Sequence, residues 1–516
     1  MSAIITDQLR ILNAKNFVAT ATSSSNSYYS FVGLTNATDY SSTWESNPPA
    51  PKDSFEQEND YWDTMVALKK IKASDVNQVV RKVTWSSGTT YDMYRHDISR
   101  TNTSKPSGST SLYSANYYVV NSDYRVYICL QNGTDPENTT GRPSLDEPTF
   151  TDLEPKASGD SGDGYIWKYL YTIKPSEVIK FDTINFIPVP KNWETNSESA
   201  AIRTNAAASN NQLKIITITN RGVGLGTANR TYTNVPIKGD GEGAKATIVV
   251  NNDSKVESVT VSIGGSGYTY GTVDLVGGNV PTGTVTPTFD VIIPPKGGHG
   301  ADIYRELGAY NVLIFSRIEN DLENPDFITG NKIARVGVVE NPQAYNSTSL
   351  LDIEKASAVY ALKLAGTGYD TATFTPNSRF TQTISIGTTA VGRVVSYDQN
   401  TGVLKYWQDK SLVGFNTNGS QNTSPTYGLH LNRFTSSVGT GGTTFIVGTN
   451  LYIDETFTGV STALNNRTYN LGQSFINGVA NPEVKKYSGN VIYVDNRPSI
   501  TRSSNQKEDI KVILQF

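Results

Sequence analysis

The chain is poor in the side chains that most often do chemistry. Its 516 residues include one cysteine, three histidines and three methionines. A single Cys129 excludes a disulfide framework within the chain, and its place in the run YRVYICLQN reads as a buried, inert thiol. Lys and Arg number 44 against 48 Asp and Glu, a formal net charge of −4. The densest basic cluster is Lys69, Lys70 and Lys72, which reads as the wet face of a helix. Without a basic stripe, no nucleic-acid partner is expected. No run of 18 apolar residues exists, and Asp7 and Arg10 interrupt the opening MSAIITDQLRILNAKNF. Neither a membrane span nor a secretion signal is expected. Asn-X-Ser/Thr triplets such as those at Asn36, Asn132 and Asn466 then reflect composition rather than glycosylation.

Hydrophobic residues make up 37% and charged residues 18%, both below ordinary globular usage, and Thr, Ser, Asn and Gly fill the difference. Tyr outnumbers Phe, 29 to 17. Such chains form many short strands joined by tight polar turns, with tyrosines half in and half out. The expected fold class is mainly β, with short helices near the N-terminus. Ile5, Leu9 and Leu12 have helical spacing and predict an amphipathic helix over 4–18. SYYSFVGLTN reads as a strand, SNPPAPKDS as a breaker, and YWDTMVALKKI as a helix burying Trp62, Met65 and Val66. Ser74 reads as the cap of a further helical turn at SDVNQVV. Residues 83–94 read as a hairpin around Ser87-Gly88, and two strands flank Asn121-Ser122-Asp123. Residues 131–164 carry no periodic pattern, GYIWKYLYTI returns as a strand, and 194–211 reads as a linker.

After that linker comes an internal repeat: ITITNRGVG at 216–224 matches VTVSIGGSG at 259–267, a displacement of 43 residues. YALKLAGTGYD at 360–370 is a partial third copy. Each unit reads as strand, glycine-rich turn, strand, strand, the glycines permitting positive φ. Residues 411–450 are again rich in Gly, Ser, Thr and Asn, and KVILQF closes the chain as a strand.

Four places invite a functional reading. In GGHGADIYRELGA, a helix over 299–306 would set His299, Asp302 and Glu306 on one face, as a metal or catalytic cluster needs. The alternative, which we favour, is a glycine turn entering a helix whose first turns welcome Asp302 and Glu306, with Ile303, Leu307 and Tyr310 buried. ASGDSGDGY resembles the turn around a serine-protease nucleophile, and His96, Asp123 and Ser161 stand in that family's order. Only 65 residues separate His96 from Ser161, too few for the two barrels such a site straddles. Asp160 and Asp163 in the same turn lack the ligand spacing of a calcium loop. ITITNRGVGLG has the spacing G-x-G-x-G with no helix after it, which fits the repeat better than a dinucleotide site.

Three segments carry a resemblance. They are NPPAPKDSFEQENDYWDTMVALKKIKASDVNQVVRKVTW, then RVYICL with GDGYIWKYLYTIKP, then SGNVIYVDNRPSITRSSNQKEDIKVILQF. Together they resemble the gene product eight family of baseplate wedge proteins in T-even-type contractile-tailed bacteriophages. The likeness covers most of 1–190, thinly 300–345, and 487–516. It implies a non-enzymatic β-sandwich homodimer in the virion, assembled in the host cytoplasm with other wedge subunits. It further implies a part in baseplate assembly and in the rearrangement that triggers sheath contraction. The family supplies no catalytic, cofactor-binding or metal residue to carry over, and no cofactor is expected.

The expected organisation is a discontinuous β core of 1–95 with 300–345 and 487–516, and a second β domain of 96–212. Gly-rich β modules at 213–299 and 346–486 are inserted into this scaffold, and 487–516 is expected to pair with N-terminal strands. The insertions have no counterpart in the family. The alternative function is a fibre-like adhesin contacting host-surface glycans through Tyr268, Tyr270 and Tyr369, or, more remotely, a polysaccharide-cleaving tail enzyme.

Overall fold

The computed structural model describes residues 3–207, 212–226, 228–319, 325, 327–385, 388–408, 451–503 and 506–516. Strands take 40% of the chain and helices 12%, so the fold is mainly β and multi-domain, as expected. The expected Gly/Ser/Thr/Asn-rich tract at 411–450 lies outside the described residues. The chain forms two compact units, one of 1–18, 77–313 and 513–516, the other of 19–76 and 314–512. The four-part division read from sequence is finer than these two units and stands as a proposal.

The first unit begins with the helix Asp7–Ala21. The apolar residues whose spacing predicted an amphipathic helix point outward: Ile5, just before the helix, is 65% exposed, Leu9 44% and Leu12 50%, while Ile11 and Ala14 pack inward. Period alone identifies a stripe; what covers it is decided by the partner surface, and here small Ala14 allows the close approach. Behind it, Tyr118–Val120, Arg125–Asn132 and Tyr165–Thr172 form an antiparallel three-stranded sheet. The turn at 121–124 joins its first two strands as the sequence predicted, with Tyr124 at φ 56°. Its core is aromatic: Tyr165 and Trp167, two apart and so on one face, stack at 5.3 Å, and Tyr91 meets Trp167 edge-on at 5.9 Å. Cys129 is buried there, and burial pushes its thiol well up.

Three local expectations fail. Residues 83–94 form no hairpin; Thr84 and Thr89 make single bridges to Val120 and Ser144 instead. The Ser74 turn is one 3-10 turn, Ala73–Asp75, after which Val76–Arg81 is a strand whose valines pair and pack. The linker 194–211 contains the helix Ala200–Ala207, whose alanines favour helix wherever packing permits.

The repeat folds as small sheets. Lys245–Val250 pairs with Val256–Ile263 and with Arg230–Gly239, which also takes Gly271–Val273; Ile216–Asn220 pairs with Thr288–Val291. The two copies correspond in backbone detail. Gly222 and Gly224 have φ 69° and 70°, and their equivalents 43 residues on, Gly265 and Gly267, have 60° and 78°. The residue between each pair, Val223 or Ser266, makes an isolated bridge, to Val285 and to Glu242. Leu213, Val235, Ile237, Ile248, Val256 and Tyr268 share a core of their own, so the module buries apolar surface without borrowing it.

The second unit contains an antiparallel five-stranded sheet in the order Lys355–Ser357, Met65–Lys70, Tyr28–Gly33, Lys332–Glu340, Asn490–Thr501. The helix expected through 61–71 ends at Thr64, and Met65 opens a strand. Ser54 caps that helix by accepting from Gln57 N–H at 3.3 Å. The run MVAL has no polar break to reveal its period, and pairing on both sides decides it as strand. Lys69 is therefore not on a wet helix face: its Nζ donates to Arg317 O at 2.6 Å, and burial lowers its pKa. The C-terminal segment does not pair with N-terminal strands directly. Asn490–Thr501 pairs with Lys332–Glu340, and Lys507–Gln515 lies beside Asn311–Glu319. A further sheet of eight strands runs from Tyr360 to Ala480.

Candidate functional site

His299 and Glu306 do meet, though not on a helix face. The helix is only Ile303–Leu307; Asp302 is its N-cap, accepting from Arg305 N–H at 3.1 Å, and Gly308 closes it at φ 71°. His299 lies in the glycine turn, Nδ1 2.6 Å from Glu306 Oε1, while Gly300 N–H donates to Glu306 Oε2 at 2.7 Å. Both side chains are buried, and Tyr94 packs edge-on against the imidazole at 4.7 Å. The glycines are there for two reasons. Gly298 and Gly300 have φ 88° and 92°, and a Cβ on either would run into the helix Ala200–Ala207, at Ala206 O and Ile202 Cγ2. Asp302 is spent on capping, and no group of three metal-ligating side chains occurs among the described residues. The arrangement fastens a loop.

The serine-protease set is dispersed over separate partners. His96 Nδ1 accepts from Ile293 N–H at 3.3 Å, Asp123 pairs with Arg125 at 3.2 Å, and Ser161 N–H donates to Asp146 at 2.9 Å. Asp163 accepts from Leu145 and Tyr165 N–H, both at 2.9 Å, so it orders the turn it belongs to. The glycan-type tyrosines separate too. Tyr268 is 2% exposed, its hydroxyl donating to Ile237 O at 2.9 Å inside the module core. Tyr369 is half-buried and receives Tyr397 O–H on its carbonyl at 2.6 Å. Tyr270 alone of the three is open, at 61%.

The second unit brings together what the sequence kept far apart. The Pro-rich turn and its helix meet the Asn-Arg-Pro segment near the C-terminus. Trp44 Nε1 donates to Arg497 O at 2.8 Å, Asn496 Nδ2 to Pro49 O at 2.9 Å, and Ser499 N–H to Glu45 at 2.9 Å. Arg335 joins them from the neighbouring strand. It donates to Asp60 Oδ2 at 2.9 Å, Thr64 Oγ1 at 2.8 Å and Asn496 Oδ1 at 2.8 Å, with its guanidinium 4.7 Å over the Tyr61 ring. A planar, five-donor cation suits these divergent acceptors, and a lysine would not reach them all. Sequence reading missed Arg335; its one signal was a lone cation inside the apolar run KIARVGVVE. Arg335 and Arg497 also line a cleft of about 490 Å³ beside the strands Asn490–Thr501 and Lys507–Gln515.

Comparison with known proteins bears on the first third of the chain. Residues 3–157 match the family model of Bacteriophage T4 Gp8, a structural baseplate family, which agrees with the resemblance read from the sequence. No curated protein matches the chain.

Proposed function

We propose that the chain is a structural subunit of a contractile phage tail baseplate, placed in the wedge and carried in the virion. The observation that supports this is the match of residues 3–157 to the Gp8 family. The fold is consistent with it: a mainly β scaffold in which Pro-rich turn and C-terminal signature are hydrogen-bonded together. The outward stripe of Ile4, Ile5, Leu9 and Leu12 lies within the matched segment, and apolar surface of this kind is what a subunit covered by neighbours displays. The protein acts as a homodimer joined to other wedge subunits, without catalysis, cofactor or membrane, and is made in the host cytoplasm. Its contribution is to wedge assembly and to the rearrangement that releases sheath contraction.

Light scattering on a sizing column tests this, first alone and then with candidate wedge neighbours. A dimer that co-migrates with those neighbours is expected, and Leu9→Glu with Leu12→Glu should weaken association while leaving the fold intact. A stable trimer indifferent to them would replace the reading with an adhesin. Of the three tyrosines first considered for that role, only Tyr270 offers an exposed ring.

A further inference from the structure

Lys168 stands on the strand Tyr165–Thr172 and is 1% exposed. Leu170 shares its face of the strand, and both Leu170 and Ile202 lie within 4 Å of a Cβ built on Gly300, which sets the helix Ala200–Ala207 beside that face. Asn205 is on the same helix, and its side-chain amide is held at both ends. The oxygen, Oδ1, accepts from Lys168 Nζ at 3.0 Å, and the nitrogen, Nδ2, donates to Glu154 Oε1 at 2.6 Å. Leu153 O steadies Nζ at 2.6 Å, and Lys214 Nζ lies 2.7 Å from the second carboxylate oxygen, Glu154 Oε2. An amine on an amide oxygen, with a carboxylate on the nitrogen of that same amide, is the arrangement by which an amine displaces ammonia from a side chain.

An ammonium cannot attack a carbonyl, whereas a neutral amine can. Burial and the charge of Lys214 lower the Lys168 pKa to about 8, against the opposite pull of Glu306 and Glu154. At pH 9 the folded chain therefore holds this amine mostly neutral, where an ordinary lysine, near about 10.4, is still charged. Fixing amine and carbonyl side by side supplies the effective concentration, about 10⁵–10⁸ M for well-oriented groups, that an unreactive amide requires.

We propose that Lys168 and Asn205 condense into an intramolecular isopeptide bond in the folded chain. Lys168 Nζ attacks Asn205 Cγ, the Nζ–Cγ bond forms, the Cγ–Nδ2 bond breaks, and Nδ2 leaves as ammonia. The proton that Nζ loses goes to the departing nitrogen, and Glu154, already on Nδ2, is placed to carry it. The step is slow, because in the hydrogen-bonded pose Nζ points at Oδ1 and must swing over the face of Cγ before it reacts. Newly folded protein therefore still carries both side chains. The product ties strand to helix through a neutral amide, removes a buried charge, and closes the span of 37 residues between them. The inference stands on the geometry of the first unit and not on the baseplate reading, so its failure leaves that reading in place.

The test incubates the purified full chain at pH 6 and at pH 9 and follows its intact mass and tryptic map. At pH 9 a species lighter by one ammonia, about 17 Da, is expected. In its digest Lys168 is uncut, and the segment 157–180 is joined to 204–214. Linkage at pH 6 should be at least about tenfold slower, since the amine is charged there. Lys168→Arg should form no joined peptide, and Glu154→Gln, at an exposed position, should slow linkage by about 100-fold. Asn-Gly sequences such as Asn132-Gly133 and Asn477-Gly478 also lose ammonia, by closing to succinimides, so the joined peptide and not the mass alone decides. An unchanged mass after prolonged incubation at pH 9 would overturn the proposal, and so would ammonia loss confined to Asn-Gly sites. Both readings are made on unaltered protein, so they hold even where a variant folds poorly.

Discussion

Glu306 holds His299 with one carboxylate oxygen and the backbone of Gly300 with the other, at 2.6 and 2.7 Å, in a site closed to water. Glu306→Ala leaves the imidazole and the Gly300 N–H buried without partners. The expected loss is about 3–5 kcal/mol, as for breaking a buried pair from one side. Glu306→Gln keeps an acceptor for Gly300 and should cost less, about 1–2 kcal/mol. Urea unfolding followed by tryptophan fluorescence measures both.

Lys168 is buried, its Nζ donating to Leu153 O at 2.6 Å and Asn205 Oδ1 at 3.0 Å, and burial lowers its pKa to about 8. Between pH 8 and 10 the unfolded chain therefore binds more protons at this position than the folded one. Lys168 should therefore add an upward slope of stability with pH across that window, read as the difference between the unaltered protein and Lys168→Met. Below pH 8 both forms carry the charge and the slope is flat. Thermal melts at pH 7, 8, 9 and 10 on the two proteins decide it.

The two repeat copies make a matched prediction. A Cβ on Gly265 would sit 2.5 Å from Glu242 O and 2.6 Å from Ala244 N, and one on Gly222 would sit 2.9 Å from Val285 O. Both have positive φ as well. Gly265→Ala and Gly222→Ala should each destabilise by more than the roughly 1–3 kcal/mol of backbone strain alone. Gly162→Ala, at φ 68° with open space around it, should show only the strain. Hydrogen exchange across Lys245–Ile263 reads the first two locally.

Arg221 ties the repeat module to the loop after Asn132. Its Nε lies 2.9 Å from Glu137 Oε2, and its Nη1 donates to Val256 O and Glu257 O at 3.0 and 2.9 Å. The Glu137 carboxylate is exposed, so the ion pair itself contributes little. The two carbonyl bonds matter more, and Arg221→Ala should cost about 1–2 kcal/mol while Glu137→Ala costs under about 1. Faster amide exchange in Val256–Ile263 for Arg221→Ala alone is the expected signature.

Arg335→Lys should destabilise by about 2–3 kcal/mol, because one ammonium cannot serve Asp60, Thr64 and Asn496 while lying over Tyr61. A denaturation midpoint close to that of the unaltered protein would show that the guanidinium geometry is dispensable.

What the sequence made legible were elements with a strong pattern of their own. Tyr28–Gly33, Arg125–Asn132 and Tyr165–Thr172 stand where aromatic and β-branched runs placed them, and the repeat foretold its glycines down to their backbone sign. Misreadings came where tertiary partners decide. Met65–Leu68 is apolar without a period, and only strands on both sides make it β. The stripe of Leu9 and Leu12 was visible, but not that Ile11 and Ala14 would win the interior. The glycine turn entering a helix at Asp302 was legible, but not that Glu306 would reach back from that helix to His299 in the turn. Arg335 was missed because a buried cation leaves no periodic trace.

The first unit takes in residues 1–18 and 513–516 together, and Phe17 and Phe516 face each other at 5.5 Å, with Phe516 N–H donating to Tyr310 O at 3.2 Å. During synthesis Phe17 is therefore made 499 residues before the ring that faces it, Phe516. Ile11 of the same helix, by contrast, packs in a core drawn from residues up to Ala309, so this unit gathers most of its cover before the ring that faces Phe17 is made.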